Sequence, residues 1–181
     1  MKICKKIIAI VLAVAICVVT IFSGVNTINA RAATRKVTTS GKLKSAAVPK
    51  KAPVVKKGTS VITMKKASGF VKFKAPSTKT YKFTVSKLSN KSKTFTSALV
   101  SLLKIGDDGR LDIATIKTYG GKNDTMFIAS NKVPEQLDKA KKKDYFLVKR
   151  TGSVKLKKGD TIYLYAQAYG SVTTTYTLNI K

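Results

Sequence analysis

Histidine and tryptophan are absent from this 181-residue chain, and acidic residues are scarce, 8 against 36 lysines and arginines. Lack of histidine removes the commonest general base and the commonest metal ligand together. A serine nucleophile would then need a lysine as its base. Ser101-Leu-Leu-Lys104 has the S-x-x-K spacing, and Arg150-Thr151-Gly152 echoes the K-T-G of penicillin-binding enzymes. In that chemistry the serine opens a helix, whereas Ser101 sits in a run that reads as a strand, where positions i and i+3 face opposite ways. No catalytic residue is expected, and no cofactor.

The few carboxylates allow little more. Asp107, Asp108 and Asp112 gather around one turn and are the only grouping that could recruit a Ca²⁺ ion, which wants several oxygen ligands. Turn formation accounts for the first two without an ion, because Asp is favoured there for its local hydrogen bonds. Paired carboxylates for sugar hydrolysis need one raised pKa, and in so basic a chain each acid is held ionised.

Cysteine occurs only as Cys4 and Cys17, both inside a segment that reads as an address. Lys2, Lys5 and Lys6 precede a charge-free run of 16 residues from Ile7 to Phe22, and Ala30-Arg31-Ala32 follows as a small-x-small cleavage pattern. Residues 1–32 are read as a signal peptide. The run is shorter than the roughly 18 to 20 residues of a membrane-spanning helix, so an uncleaved anchor is the lesser alternative. The mature chain then has no cysteine, which excludes disulfides and thiolate metal sites. Cleavage removes four of the 36 basic residues and none of the eight acids, leaving a charge of about +24. Such a charge speaks of anionic surroundings. For an exported protein these are a cell-wall polymer, a polysaccharide or a membrane surface; nucleic acid is disfavoured, since no recognisable motif accompanies the charge.

From Ala33 to Gly58 the composition turns to Ala, Thr, Ser, Val, Pro and Lys, with eight basic residues (Arg35, Lys36, Lys42, Lys44, Lys50, Lys51, Lys56 and Lys57) and no acid. With no aromatics and scattered proline, such a segment buries too little surface to offset its ordering entropy, which predicts a disordered arm over residues 33–58. Its charge makes it either a solvated spacer or an electrostatic tether.

Residues 59–181 are of ordinary size for one domain. Alternation marks strands at Val61–Met64, Phe70–Lys74, Thr80–Ser86, Ala98–Ile105, Leu111–Lys117, Met126–Ala129, Tyr145–Lys149 and Val154–Leu156. It is cleanest at Thr80–Ser86, where Tyr81, Phe83 and Val85 share the inward side. Asp108-Gly109 supplies the positive φ that a tight hairpin needs. Pro134 near its start and Lys139 to Lys143 near its end suggest a short helical or loop insertion around 134–143. The closing stretch, Thr161–Tyr169 and Thr174–Ile180 about Gly170-Ser171, reads as a hairpin. Roughly nine strands with turns every 10 residues or so predict an all-β single sandwich, jelly-roll-like.

Three segments carry a resemblance: Phe70 to Pro76 (FVKFKAP) followed by Tyr81 to Val85, Leu99 to Leu111 around Asp107-Asp108-Gly109, and Leu156 to Ile180. They resemble the bacterial pre-peptidase C-terminal domain, a small jelly-roll-like sandwich appended to secreted bacterial proteins. The resemblance implies a non-catalytic accessory module, here without a catalytic domain. The family commonly has an Asp where this chain has Ser68-Gly69, and acids where it has Ser97-Ala98, departures that speak against a calcium or carboxylate role.

If the Ile162, Leu164, Ala166 face of Thr161–Tyr169 is core, Tyr163, Tyr165, Gln167 and Tyr169 form an outward aromatic strip able to stack on sugar rings or anchor a partner. Outer-face tyrosines also simply suit strands. The expectation is a secreted bacterial binding module, held near the cell surface by charge, that takes anionic wall polymer or polysaccharide. The alternative is a secreted effector or inhibitor that binds a host or competitor protein through the tyrosine face.

Overall fold

Period-2 alternation along Lys79–Asn90 buries Tyr81, Phe83 and Val85 completely, and this row needs a second sheet to cover it. The computed structural model describes residues 34–43, 46–114, 116–118, 121–123, 125–130, 147–170 and 172–181. The expected signal peptide and the 134–143 insertion lie outside the described residues. In chain order the strands are β1 (Arg35–Thr39), β2 (Val54–Val55), β3 (Gly58–Met64), β4 (Ser68–Lys74), β5 (Lys79–Asn90), β6 (Ser97–Ile105) and β7 (Leu111–Ile113). They continue as β8 (Ile116–Thr118), β9 (Gly121–Asn123), β10 (Thr125–Ala129), β11 (Lys149–Leu156), β12 (Thr161–Ala168) and β13 (Thr174–Ile180). No helix occurs among the described residues.

The fold is an all-β sandwich. One sheet has seven strands in the order β1-β3-β13-β5-β11-β8-β9; the other has six, β10-β6-β12-β4-β2 with β7 beside β6. From β3 to β6, and again from β9 to β13, each connection carries the chain to the opposite sheet. The inward rows meet in one apolar core: Ile62, Met64, Tyr81, Phe83, Tyr176 and Leu178 from the first sheet, Val71, Phe73, Val100, Leu102 and Leu164 from the second. Phe73 stands edge-on to Tyr81 and Phe83, ring centroids 5.0 and 5.7 Å away. Each such large side chain contributes about 1.5–3 kcal/mol by leaving water. A bulge keeps β5 in phase: Lys87 takes φ 54°, the register against β13 shifts between Thr175 and Thr177, and Leu88 returns to the core.

The closing hairpin does not form. β12 lies between β6 and β4, whereas β13 lies between β3 and β5 in the other sheet. Alternation reports which side of a strand is buried and carries no information about its hydrogen-bonding neighbour, so two strands flanking a Gly-Ser turn can as readily arch between sheets. The turn at Asp107-Asp108-Gly109 is as expected, with Gly109 at φ +75° closing β6 onto β7.

The basic arm is also not disordered where it is described. Thr34–Lys181 forms one unit. β1 runs parallel to β3 from Arg35 opposite Ser60 to Thr39 opposite Met64, and β2 runs parallel to β4. Thr39 donates to the Phe70 carbonyl at 2.6 Å and packs over Gly69, where a Cβ would collide with it. Residues 40–43 and 46–53 then lie across the outside of the six-stranded sheet as a strap. Ser68 Oγ donates to the Gly41 carbonyl at 2.8 Å, Leu111 N to Ala46 O at 2.7 Å and Lys72 N to Pro53 O at 2.9 Å. Val55 and Ala52 are buried. Average composition misled because a preformed sheet edge asks only for a few β-branched residues and supplies the hydrogen-bond partners itself. Deleting Thr34–Lys57 should therefore lower the thermal midpoint by roughly 10 °C, measured by scanning calorimetry.

Burial pushes the Tyr176 phenol above its ordinary range. The folded chain thus keeps a proton that the unfolded chain releases near pH 10, so this contribution is whole below about pH 10 and is lost as pH rises towards the folded value. Tyr176→Phe should lose less stability than the parent between about pH 9 and about pH 11 in denaturant titrations.

Candidate functional site

The predicted tyrosine strip is mostly closed. Tyr163 is 6% and Tyr165 9% exposed, and only Gln167 and Tyr169, the latter 62% exposed, face water. Tyr163 and Tyr165 join Phe70, Leu103, Leu111 and Ala52 in a second apolar cluster, with Val48 of the strap packed on it. The Phe70 and Tyr165 rings lie 4.7 Å apart at 35°, and the Tyr165 hydroxyl donates to Gln167 Oε1 at 3.4 Å. The strap covers what alternation left open, so the six-stranded sheet is apolar on both faces. Tyr163 and Tyr165 are core, which removes the aromatic docking face. Tyr165→Ser should cost about 3 kcal/mol in chemical denaturation, against less than about 0.5 kcal/mol for Tyr169→Ser.

The carboxylates of the β6–β7 turn hold the chain's own backbone. Asp108 Oδ1 accepts from Arg110 N at 2.9 Å, and the turn closes through Gly106 N on Arg110 O at 2.8 Å. Asp107 and Asp112 are exposed beside it. Among the described residues no three His, Cys, Asp or Glu side chains gather as a possible metal site. Asp160, at the turn before β12, accepts from Lys157 N at 2.7 Å. Because Ile162 pairs with Lys104, this turn lies at the same end of the sandwich as Asp107, Asp108 and Asp112. All four described carboxylates thus sit at one end.

The outer face of the seven-stranded sheet is different in kind. Every strand from β1 to β11 turns alternate residues outward, and most are hydroxyls or lysines. β3 presents Thr59, Val61 and Thr63; β13 presents Thr175, Thr177 and Asn179. β5 adds Thr80, Lys82, Thr84 and Ser86, and β11 adds Lys149, Thr151, Ser153 and Lys155. Neighbouring groups already bond laterally, Thr84 Oγ1 with Thr151 Oγ1 at 2.8 Å and Asn179 Nδ2 to Thr59 Oγ1 at 2.8 Å. Strand geometry spaces these groups about 4.8 Å across and about 6.8 Å along the sheet. No aromatic ring and no carboxylate lies on this face among the described residues.

Lysines crowd its margin. Lys79 is held below the usual lysine range, first by its contact with the Lys57 side chain, then by desolvation and by the Lys57 charge. Its ammonium stands 5.0 Å from the Tyr81 ring centroid. Of the basic residues expected in the arm, Arg35 and Lys36 are exposed on β1, Lys42, Lys50 and Lys51 on the strap, and Lys56 and Lys57 between β2 and β3; Lys44 lies outside the described residues. Sequence reasoning missed the threonine face as a surface. Its signal was present in the outward members of each run, such as Thr175 and Thr177, but only the pairing of β3, β13, β5 and β11 joins them.

Residues 54–132 match the model of a family described as a domain of unknown function (DUF8529). No curated protein matches the chain in sequence. Among solved structures the chain is similar to CorA, a surface-associated copper-binding protein important in copper acquisition by Methylomicrobium album BG8. The identity is 6% and the TM-score 0.38, over 72% of this chain and 98% of that one. A likeness of that degree assigns no function. No helix among the described residues is long and apolar enough to cross a membrane.

Proposed function

We propose that the chain is a non-catalytic binding module of the bacterial cell exterior that holds an anionic wall polymer or polysaccharide against the outer face of its seven-stranded sheet. The observation that carries this reading is the composition of that face: hydroxyls and lysines in register, with the described carboxylates confined to one end of the molecule. Lysines that meet no carboxylate hold counterions, and a polyanion that displaces them gains affinity from their release. Hydroxyls between the cations supply hydrogen-bond donors for anion oxygens. A protein partner fits this surface less well, because interface cores are enriched in aromatics and depleted in lysine. Tyr163 and Tyr165, which the effector alternative needed, are buried.

The test is retention of the mature chain on purified anionic wall polymer across a salt series. Retention should fall by at least tenfold between about 0.05 M and about 0.5 M NaCl as screening shortens the Debye length. Replacing Lys36, Lys82, Lys149 and Lys155 together by Gln should abolish most of it, while Tyr169→Ser should not. Salt-independent retention, or retention unchanged in the quadruple variant, would remove the face from consideration.

A further inference from the structure

Where the chain leaves β1 to become the strap, it borders an open polar recess of about 310 Å³ lined by Thr38, Thr39, Ser40, Lys51, Pro53 and Lys65. We infer that this recess is a seat for one phosphate group, held between the ammoniums of Lys51 and Lys65 with the hydroxyls of Thr38 and Ser40 as further donors. The inference rests on the polyanion reading for its biological ligand and on the recess alone for its chemistry.

Three separate segments build the walls, and each is fixed by its own backbone bonds. Lys65 N donates to Thr39 O at 3.0 Å, which ties the turn after β3 to the end of β1. Thr173 Oγ1 reaches Lys65 O at 3.4 Å from the loop before β13. On the strap side Pro53 O accepts from Lys72 N at 2.9 Å and Ala52 is buried, so Lys51 projects from an anchored stretch. The backbone of the walls is therefore organised before any ligand arrives, which lowers that part of the ordering cost of binding.

The charges inside are all of one sign. No carboxylate lines the recess, and the four described carboxylates sit at the opposite end of the sandwich: β4 begins at Ser68, beside the Lys65 turn, and finishes at Lys74, which pairs with Thr161 next to Asp160. Two lysines line one small recess, and a group with several charged oxygens is able to accept from ammoniums and from hydroxyls at once. A carboxylate has two oxygens to offer such a donor set; a phosphate group has three or four. No aromatic ring lines the recess to stack on a sugar or a base.

A filled seat would join the strap to the end of β1 and β3. Phosphate binding should thus be read out as stability of the folded chain, independently of any polymer. Thermal unfolding of the mature chain in inorganic phosphate is compared with chloride at matched ionic strength. A site filled several-fold above its dissociation constant should raise the midpoint by about 2–4 °C. The double variant Lys51→Gln/Lys65→Gln replaces exposed residues, so its midpoint in chloride should stay near the parent's while the phosphate increment disappears. Lys82→Gln/Lys155→Gln, away from the recess, should keep the increment. An equal increment in the Lys51/Lys65 variant, or none in the parent beyond that of chloride, overturns the inference.

Polymer retention separates this inference from the reading on which it leans. Retention on a polyol-phosphate polymer without a phosphate increment would leave the polyanion reading standing and remove the seat. A phosphate increment without retention on any polymer would do the reverse and assign the seat to the free ion. Stronger retention on polyol phosphate than on a polyuronate of equal charge density, lost in the Lys51/Lys65 variant, is the result expected if the polymer's own phosphates occupy it.

Discussion

Burial of Tyr81 and Phe83 against Phe73 is the contact on which the remaining structure depends, because it fixes two sheets face to face at a single apolar interface. A sandwich without disulfides has no other means of holding its layers, and here every connection from β3 to β6 and from β9 to β13 changes sheet. Each crossing adds strands of distant sequence to the same core. Lysine cannot enter such a core unpaired without a large desolvation cost, and no lysine is buried among the described residues. The basic surface is thus a consequence of the apolar interface.

One interface would have left Phe70, Tyr163, Tyr165, Leu103 and Leu111 exposed on the far side of the six-stranded sheet. The strap closes that side with very little material: Ala52 and Val48, a few backbone bonds and two short parallel strands. Such economy explains its composition. Small and β-branched residues lie against the sheet, lysines point away, and prolines stiffen the path where no hydrogen bond is needed. The result places the described basic residues of the first segment on the same folded unit as the threonine face and the recess at the end of β1.

How much of this was legible depends on whether a feature is local. Tyr81, Phe83 and Val85 are buried as their alternation requires, and so are Tyr176, Leu178 and Ile180; the side of each strand was readable because side chains alternate whatever the partner. Pairing was not readable. Thr161–Ala168 and Thr174–Ile180 are consecutive and yet belong to different sheets, since a turn of Gly170-Ser171 serves an arch as well as a hairpin. The tyrosine strip was misjudged for a related reason. Ile-Tyr-Leu-Tyr-Ala is close to a continuous apolar run, which is how a strand covered on both faces reads, but counting tyrosine as the outward member of an alternation turned it into a surface. The strap escaped because a segment average weighs Val55 and Ala52 equally with the lysines beside them, whereas the fold uses only their apolar side chains.

Charge then decides between the surfaces that remain. With a net charge of +28 over the sequence, self-repulsion opposes compaction, and close like-charge approaches are where an anion returns most free energy. Lys57 beside Lys79 is one such approach, visible in the lowered ammonium of Lys79, but it is fully open to water and screened there. Lys51 and Lys65 both line one open recess, on backbone that is anchored on either side of it, with the hydroxyls of Thr38 and Ser40 beside them. The flat threonine face has a third character: its cations are spread along the strands, so it suits a long chain of charges better than a single ion. A linear polymer could satisfy both at once, lying along the sheet and turning one phosphate into the recess at its edge. The two surfaces adjoin at Thr38, which belongs to the outer face of β1 and to the recess together.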